Sequence, residues 1–377
     1  MSLMPVRSLI EKASRVAPKI WQGSAHVFHE FLFQQLLLFL GLLACGFTAG
    51  YLQHGYWPVA EKPFPLAGVQ VPIWHLVWMG AWTGFTLALV GQAAGLFALP
   101  YTTSVLQFNN PHVSPTMLVL TLFNPVGALL GFRRIGQWNL DLAAAVCAGG
   151  LFGGMIGPFI RATVLSNDSV FRGTLGLALT VFAVQLCYRA VSYFRLGGSG
   201  FGARLTAIDD RAASEGRPAR FVLATTSRTL WRVAIRFGRE ERDLSNLALF
   251  AAGGGVAVFS SALGIGGGFL LVPIMGMVWR LPIYVIVAAT IPYTLALSLA
   301  AIFTFDIILP LMGVPAIAPE WSWGLFCAAG GVLGSWVASK TQIYMPEHLL
   351  ELMLGVATGL CGSLYMLSAL VPLPFKL

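Results

Sequence analysis

GIGGGFLLVP, residues 264 to 273, sits in the middle of 36 residues, Leu244 to Trp279, that contain no Asp, Glu, Lys or Arg. A weaker copy, GQAAGLFALP, spans residues 91 to 100 with Gly, Gly and Pro at the same spacing, again in a charge-free stretch. Glycine clusters are poor helix formers, so two of them at membrane depth require a reason. The pair fits two broken helices that face one site, as in a transporter built from repeats.

Composition places the chain in the same class. Apolar residues make up 57% and charged residues 10% of 377 residues, far from a water-soluble domain. This describes an all-α polytopic membrane protein. The 42 glycines suit close helix contacts and interrupted helices. A net charge of +8 then reflects basic cytoplasmic loops and anionic headgroups of the lipid bilayer, not nucleic acid. Cys45, Cys147, Cys187, Cys327 and Cys361 lie in apolar segments with no CxxC spacing, so neither a disulfide framework nor a metal site is expected. No cofactor is called for either.

About 20 apolar residues cross the hydrocarbon. Leu32 to Leu52 reads as an uncleaved first span. Full-length candidates follow at Ser114 to Phe132, Leu142 to Ile160, Gly173 to Phe194, Ile283 to Phe305, Ser322 to Ser339 and Leu349 to Leu370. Ile73 to Asn110 and Leu247 to Trp279 each divide at the Gly motif into a longer and a shorter arm, read as re-entrant hairpins. The expected architecture is therefore an inverted internal repeat of about seven transmembrane helices plus two Gly-broken hairpins. Its divisions are a cytoplasmic N-terminal segment (1–31), a first helix with an external loop (32–72), repeat 1 (73–194), a cytoplasmic Arg-rich insert (195–246) and repeat 2 (247–377).

With the N-terminus inside, Arg133, Arg134, Arg280, Lys340 and the ten arginines of Arg195 to Arg242 all fall on the cytoplasmic side. Arg161 and Arg172 are exceptions, partly offset by Asp168, and the Pro-rich loop with Asp306 and Glu320 falls outside. Odd numbers of crossings per half invert the second repeat, so the hairpins enter from opposite faces and their tips meet near the midplane. Duplication is also suggested by Cys147, Gly150 and Gly154, which recur 180 residues later as Cys327, Gly330 and Gly334, and by Gly176, which recurs as Gly355. The insert is expected to be mostly a solvated linker, with a small hairpin in RFVLATTSRTLWRVAIRF as the alternative.

No Asp, Glu, Lys or Arg falls well inside an assigned span, so backbone and neutral polar groups would have to bind any substrate. The second arm of each hairpin starts near Gly95 or Gly268 and points its unpaired N–H groups at the site. Gly266, Gly267 and Gly268 let those groups form an anion nest, although the first arms end at the same tips and offer carbonyls that suit a cation. The candidate binding residues are Gly91, Gln92, Gly95, Pro100, Thr102, Thr103, Asn124, Ser261, Gly264, Gly266, Gly267, Gly268, Pro273, Thr290 and Tyr293, with Ser260 and Thr294 beside them. Each polar residue taken alone also suits helix packing or capping. Cys147 and Cys327 as a thiol pair near the pseudo-symmetry axis is a sharper idea, and His75 and His112 are candidates for proton exchange.

On these residues the chain resembles the TauE/SafE family of sulfite and organosulfur-anion exporters, also called the four-toluene-sulfonate uptake permease family. The carrying motif is GxGGGxxxxP, matched by Gly264, Gly266, Gly267, Gly268 and Pro273; in the first copy Gly91, Gly95 and Pro100 hold while Gln92, Ala93 and Ala94 depart from it. The resemblance implies a secondary transporter of a small sulfur-containing anion in the bacterial inner membrane, with protons as the candidate coupling ion. A cation or transition-metal permease is the alternative, though the His, Cys, Asp and Glu clusters that select metals are lacking. No acid–base or nucleophile set for an enzyme stands out. The oligomeric state stays open, a homo-oligomer included.

Overall fold

The computed structural model describes residues 25–58, 64–90, 94–135, 139–195, 224–237, 240–279, 281, 283–341 and 347–370. The N-terminal segment to residue 24, Gly91, Gln92 and the insert over 196–223 lie outside the described residues. The helices are α1 (Ala25–His54), α2 (Ile73–Val90), α3 (Ala94–Ser104), α4 (Val113–Ile135), α5 (Leu140–Thr163), α6 (Asp168–Arg195), α7 (Asn246–Leu263), α8 (Gly268–Val278), α9 (Ile283–Phe303), α10 (Trp321–Thr341) and α11 (Glu347–Leu370). A π-helical turn, Thr304–Ile308, and one short turn, Leu309–Leu311, extend α9. Each sequence-assigned span falls on one of these helices, and both helix breaks fall at the Gly motifs.

Among the described residues six helices are long and apolar enough to cross a membrane. The chain is a multi-pass membrane protein. One of the six is α7, the first arm of the second hairpin. First arms of 18 residues are about 27 Å long at 1.5 Å per residue, whereas second arms of 11 residues are about 16 Å. Each hairpin is thus a near-full-length arm followed by a half-length one.

Glycine backbones set how the helices run. A Cβ on Gly149, Gly153 or Gly157 of α5 would stand 2.2, 2.2 and 2.6 Å from the carbonyl oxygens of Phe250, Gly254 and Val258 of α7. Rising numbers on one helix meet rising numbers on the other, so α5 and α7 are parallel. By the same reasoning α2 runs parallel to α10, with Gly330 and Gly334 against the carbonyls of Val77 and Ala81 at 1.9 and 1.8 Å. Gly324 and Gly331 of α10 meet Thr116, Val119 and Asn124 of α4, again in rising order, so α2 and α4 point the same way. The chain must therefore return between them, and α3 is that return: His75 Nε2 near the start of α2 lies 2.8 Å from Tyr101 Oη near the end of α3. Likewise α5 runs parallel to α9, through Gly150 on Tyr293 and Gly154 on Leu297, which makes α8 the returning arm between α7 and α9. Since α4 and α5 are joined head to tail, the two hairpins enter from opposite sides.

The repeat is visible in these contacts, in a register different from the one expected. Gly149 on Phe250 corresponds to Gly330 on Val77, Gly153 on Gly254 to Gly334 on Ala81, and Val146 against Gly253 to Cys327 against Gly80. The hairpin arms are 173 residues apart and their partner helices 181, not 180. Cys327 therefore corresponds to Val146, and the match of Cys147 with Cys327 is a coincidence of one residue. In keeping with this, Cys327 is buried and Cys147 half-buried. The last helices, α6 and α11, pair antiparallel with Gly176 against Gly362 and Gly355 against Cys187, as equivalents about a two-fold axis should.

Residues 224–245 form a sheet where a solvated linker was the favoured expectation: β1 (Ala224–Arg228), β2 (Arg232–Phe237) and β3 (Glu240–Ser245), antiparallel in that order. An isolated hairpin is marginal, but this one has support. Val233, Ile235 and Leu244 are buried, Thr225 and Arg228 bind the Asp141 carboxylate, and Asn246 Nδ2 donates to the carbonyls of Thr229 and Leu230. At the opposite end, Glu320, expected in an external loop, is fully buried and bound by His54 Nε2 at 2.7 Å, Ser322 Oγ at 3.0 Å and the Leu66 amide at 3.1 Å. Burial first, and then the Glu320 charge, hold the nearby Tyr56 phenol above its ordinary range.

These contacts predict a sharp contrast in stability. Gly334→Ala places a methyl 1.8 Å from a backbone oxygen and should cost more than about 2 kcal/mol, whereas Gly255→Ala meets nothing within 4 Å and should gain up to about 1 kcal/mol. Melting of the detergent-purified variants checks this; equal effects would refute the helix register.

Candidate functional site

The two tips touch. Ser260 O accepts the N–H groups of Gly264 and Ile265 at 2.8 and 3.1 Å and closes α7, with Gly264 at φ +83° and Gly266 at φ +87° turning the chain. Only glycine adopts such angles without strain. The turn brings the Ile265 carbonyl to the other hairpin, where a Cβ on Gly95, in the first turn of α3, would lie 2.5 Å from that oxygen and 2.9 Å from Thr121 Cγ2. Beside this contact Thr121 Oγ1 and Ser298 Oγ are 3.2 Å apart, well inside α4 and α9. Neither residue stands out in the sequence, because a lone hydroxyl in an apolar helix has no partner until the fold supplies one.

Among the candidates drawn from sequence, Gly95, Gly264, Gly266, Gly267 and Gly268 gather at the tips. Gly267 is the N-cap of α8 and lies under Tyr293 and Leu297, while Gly268 meets only Thr294 Oγ1, at 3.9 Å. Tyr293 is fully buried; its ring also covers Gly150, and its hydroxyl donates to Gly253 O at 2.8 Å. Pro100 and Pro273 lie inside the second arms. Thr102 faces the sulfurs of Met79 and Met117 at 3.4 and 3.9 Å, and Thr103 bonds Leu99 O and the Tyr365 hydroxyl, so both sit at the base of the first hairpin, away from its tip. Ser261 donates to Ala257 O at 2.6 Å, and Thr290 O accepts from Thr294 at 2.9 Å. Gly91 and Gln92 lie outside the described residues.

Two polar side chains in this region are buried without a partner. Neither Asn124 amide atom has one, and a Cβ on Gly331 would fall 2.0 Å from Asn124 Oδ1; the Ser260 hydroxyl is also unpaired. A buried amide without hydrogen bonds is unfavourable by about 1–3 kcal/mol per group, which makes Asn124 the strongest polar candidate. His75 and His112 are both engaged, the latter with Nδ1 2.7 Å from Ala318 O. Among the described residues no group of three or more His, Cys, Asp or Glu is placed to hold a metal.

A formal charge also lies closer than the sequence indicated. Arg161, in the last turn of α5, is only 3% exposed. Its Nε donates to Ser114 Oγ at 3.0 Å, Nη1 donates to Leu165 O, and the guanidinium lies 4.0 Å from the Phe171 ring centroid. The Ser114 backbone in turn abuts Gly264 of the second tip, at 2.4 Å from a Cβ there. A charge at the end of an apolar run reads as a loop residue; burial of this one depends on α4 and α6.

The chain belongs to the TauE/SafE sulfite exporter family, a family of membrane transporters, whose family model matches residues 76–366. No curated protein and no solved structure matches it.

The tips yield a paired prediction. Gly95→Ala must push the Ile265 carbonyl away and should destabilise by more than about 1 kcal/mol, whereas Gly268→Ala has room and should stabilise α8 by about 0.5–1 kcal/mol. Thermal unfolding in detergent distinguishes them, and a neutral Gly95→Ala would mean that the tips are apart.

Proposed function

We propose that this protein carries a small sulfur-containing oxyanion, of the sulfite or organosulfonate type, across the bacterial inner membrane by alternating access at the two hairpin tips. The observation that carries this reading is the contact of Gly95 with Ile265, where two returning arms from opposite sides end on each other beside Thr121 and Ser298. The first turns of α3 and α8 begin at that contact, and their N–H groups have no partner within their own helices. Asn124 and Ser260 would add neutral donors, and Gly268 would leave space for the ion. The protein acts as a transporter and not as an enzyme, and protons are the candidate coupling ion. The excess of arginine in the insert supports a cytoplasmic N-terminus and insert.

The second reading, a cation permease, draws on the Ile265 carbonyl at the tip contact. That oxygen faces the N-terminal turn of α3, where it offsets the positive end of a helix dipole, so it is poorly placed as a cation ligand. Metal selection would also need softer or charged ligands than glycine carbonyls.

Melting of the detergent-purified protein against sulfite, thiosulfate, sulfoacetate, taurine, sulfate, nickel and sodium separates the two, because a ligand that prefers the folded state raises the melting point. Stabilisation by one sulfur oxyanion supports the proposal; stabilisation by a cation alone replaces it with the second reading. Asn124→Ala provides a second check in proteoliposomes carrying sulfite. It removes an unpaired amide, so stability should stay within about 1 kcal/mol of wild type while transport falls about tenfold or more. Full transport would remove Asn124 from the site.

A further inference from the structure

A contiguous path of contacts leads from the second tip to a polar cavity. Gly264 abuts the Ser114 backbone, Ser114 Oγ accepts from Arg161 Nε, and the Arg161 guanidinium stacks on Phe171. Phe171 lines a cavity together with Thr103, Asn109, Asp168, Arg172 and Tyr365, with room for about one water molecule. This cavity opens at the base of the first hairpin, on the side where α1 ends, the outer side if the N-terminus is cytoplasmic.

Arg161 is unusual there. Among the described residues no carboxylate lies within 4.0 Å of its guanidinium, and the charge of Asp168 reaches this buried cation only at longer range. Such a group is unfavourable unless something pairs with it, and its bonds to Ser114 and Leu165 are to neutral oxygens. Arg172, by contrast, is held by Asp168 at 2.9 Å, across a pair whose acid is more than half exposed. Arg161 thus lies outside the cavity lining, behind the Phe171 wall and without a direct ion pair, while Arg172 stands at the rim, held by a displaceable carboxylate.

We propose that Arg161 and Arg172, around Phe171, form an anion-capture site between the outer face and the hairpin tips. This rests on the anion reading of the transporter. A small oxyanion would take the place of the Asp168 carboxylate on Arg172 and widen the cavity towards Arg161. The planar donor fork of arginine matches two oxygens of one ion, as a lysine point charge does not. Asp168 acts as a tethered competitor that keeps Arg172 engaged while the site is empty. A purely structural Arg161 would need only its two hydrogen bonds, which a neutral amide can partly replace.

Sulfite is the probe, with half-saturation read from proteoliposome transport and from the sulfite-dependent melting shift. Arg161→Gln and Arg172→Gln should each raise half-saturation about tenfold or more, the loss expected for a charge-assisted contact. Asp168→Asn leaves the helix-start bond from the Ser169 amide to Asn167 Oδ1 in place but frees Arg172, and should lower half-saturation about threefold, a gain that no loss of packing can mimic. Unchanged half-saturation in folded Arg161→Gln and in Asp168→Asn would overturn the capture site. If Arg161→Gln does not fold, Arg172→Gln and Asp168→Asn decide by the same readout. A wild-type protein that neither binds nor moves any of the sulfur anions overturns the transporter reading itself; a wild type that does so, with indifferent variants, overturns only the site inferred here.

Discussion

Breaking a helix inside an apolar layer is tolerable only where protein groups satisfy the freed backbone. The second hairpin meets this constraint partly within itself, and its tip lies against the first turn of α3. Ser260 O takes two N–H groups as α7 ends, and the Ile265 carbonyl, left over by the turn, is directed at the first turn of α3 on the other hairpin. Each break thus lies against the other, and the inverted repeat follows from that need. Two arms that return from opposite sides need parallel long helices around them, and the glycine columns of α5 on α7 and of α10 on α2 supply those supports.

Much of this was legible in the sequence because it depends on local composition. Charge-free runs marked the spans, and glycine clusters marked both breaks, since neither signal needs a distant partner. What depends on distant partners was not legible. Arg161 reads as a loop residue because it follows an apolar run, and only α4 and α6 bury it. Glu320 reads as an external acid, yet His54 and Ser322 hold it inside, brought there by α1. The repeat register was missed by one residue because glycine is common on every face of these helices. Which glycine meets a carbonyl is settled by packing, and packing pairs Gly149 with Gly330. The sheet over 224–245 was masked by its charges; its apolar residues number only a few, and they suffice because α5 and α7 supply the opposing surface.

The repeats share their supports but differ at the tips. The second hairpin carries the full glycine run, with positive φ at Gly264 and Gly266, whereas the first has Gln92, Ala93 and Ala94 before Gly95. A side chain at Gly95 would strike backbone, while one at Gly268 would meet almost nothing. The unpaired amide of Asn124 belongs to repeat 1, the unpaired hydroxyl of Ser260 to repeat 2. On the proposed mechanism the two halves divide the work: the second tip offers the more open backbone, and the first repeat brings an amide.

The same contacts limit what can move. Backbone oxygens lie 1.8 to 2.3 Å from the Cβ positions of Gly80, Gly84, Gly149, Gly153, Gly330 and Gly334, so α2 with α10 and α5 with α7 have no slack between them and act as two rigid pairs. The contacts between the two sets, α4 taken with the first pair and α9 with the second, are fewer: the Thr121 to Ser298 hydroxyl pair, the Arg161 to Ser114 hydrogen bond, and the backbone approaches of Gly95 to Ile265 and of Gly264 to Ser114. Side chains can change rotamer and hydroxyls can change partner, whereas a helix lodged in a glycine column cannot slide without breaking many contacts at once. On the proposed mechanism, alternating access therefore falls to the seam between the pairs. On that reading an ion parts the tips there, taking the place of the contact that Gly95 and the Ile265 carbonyl now make.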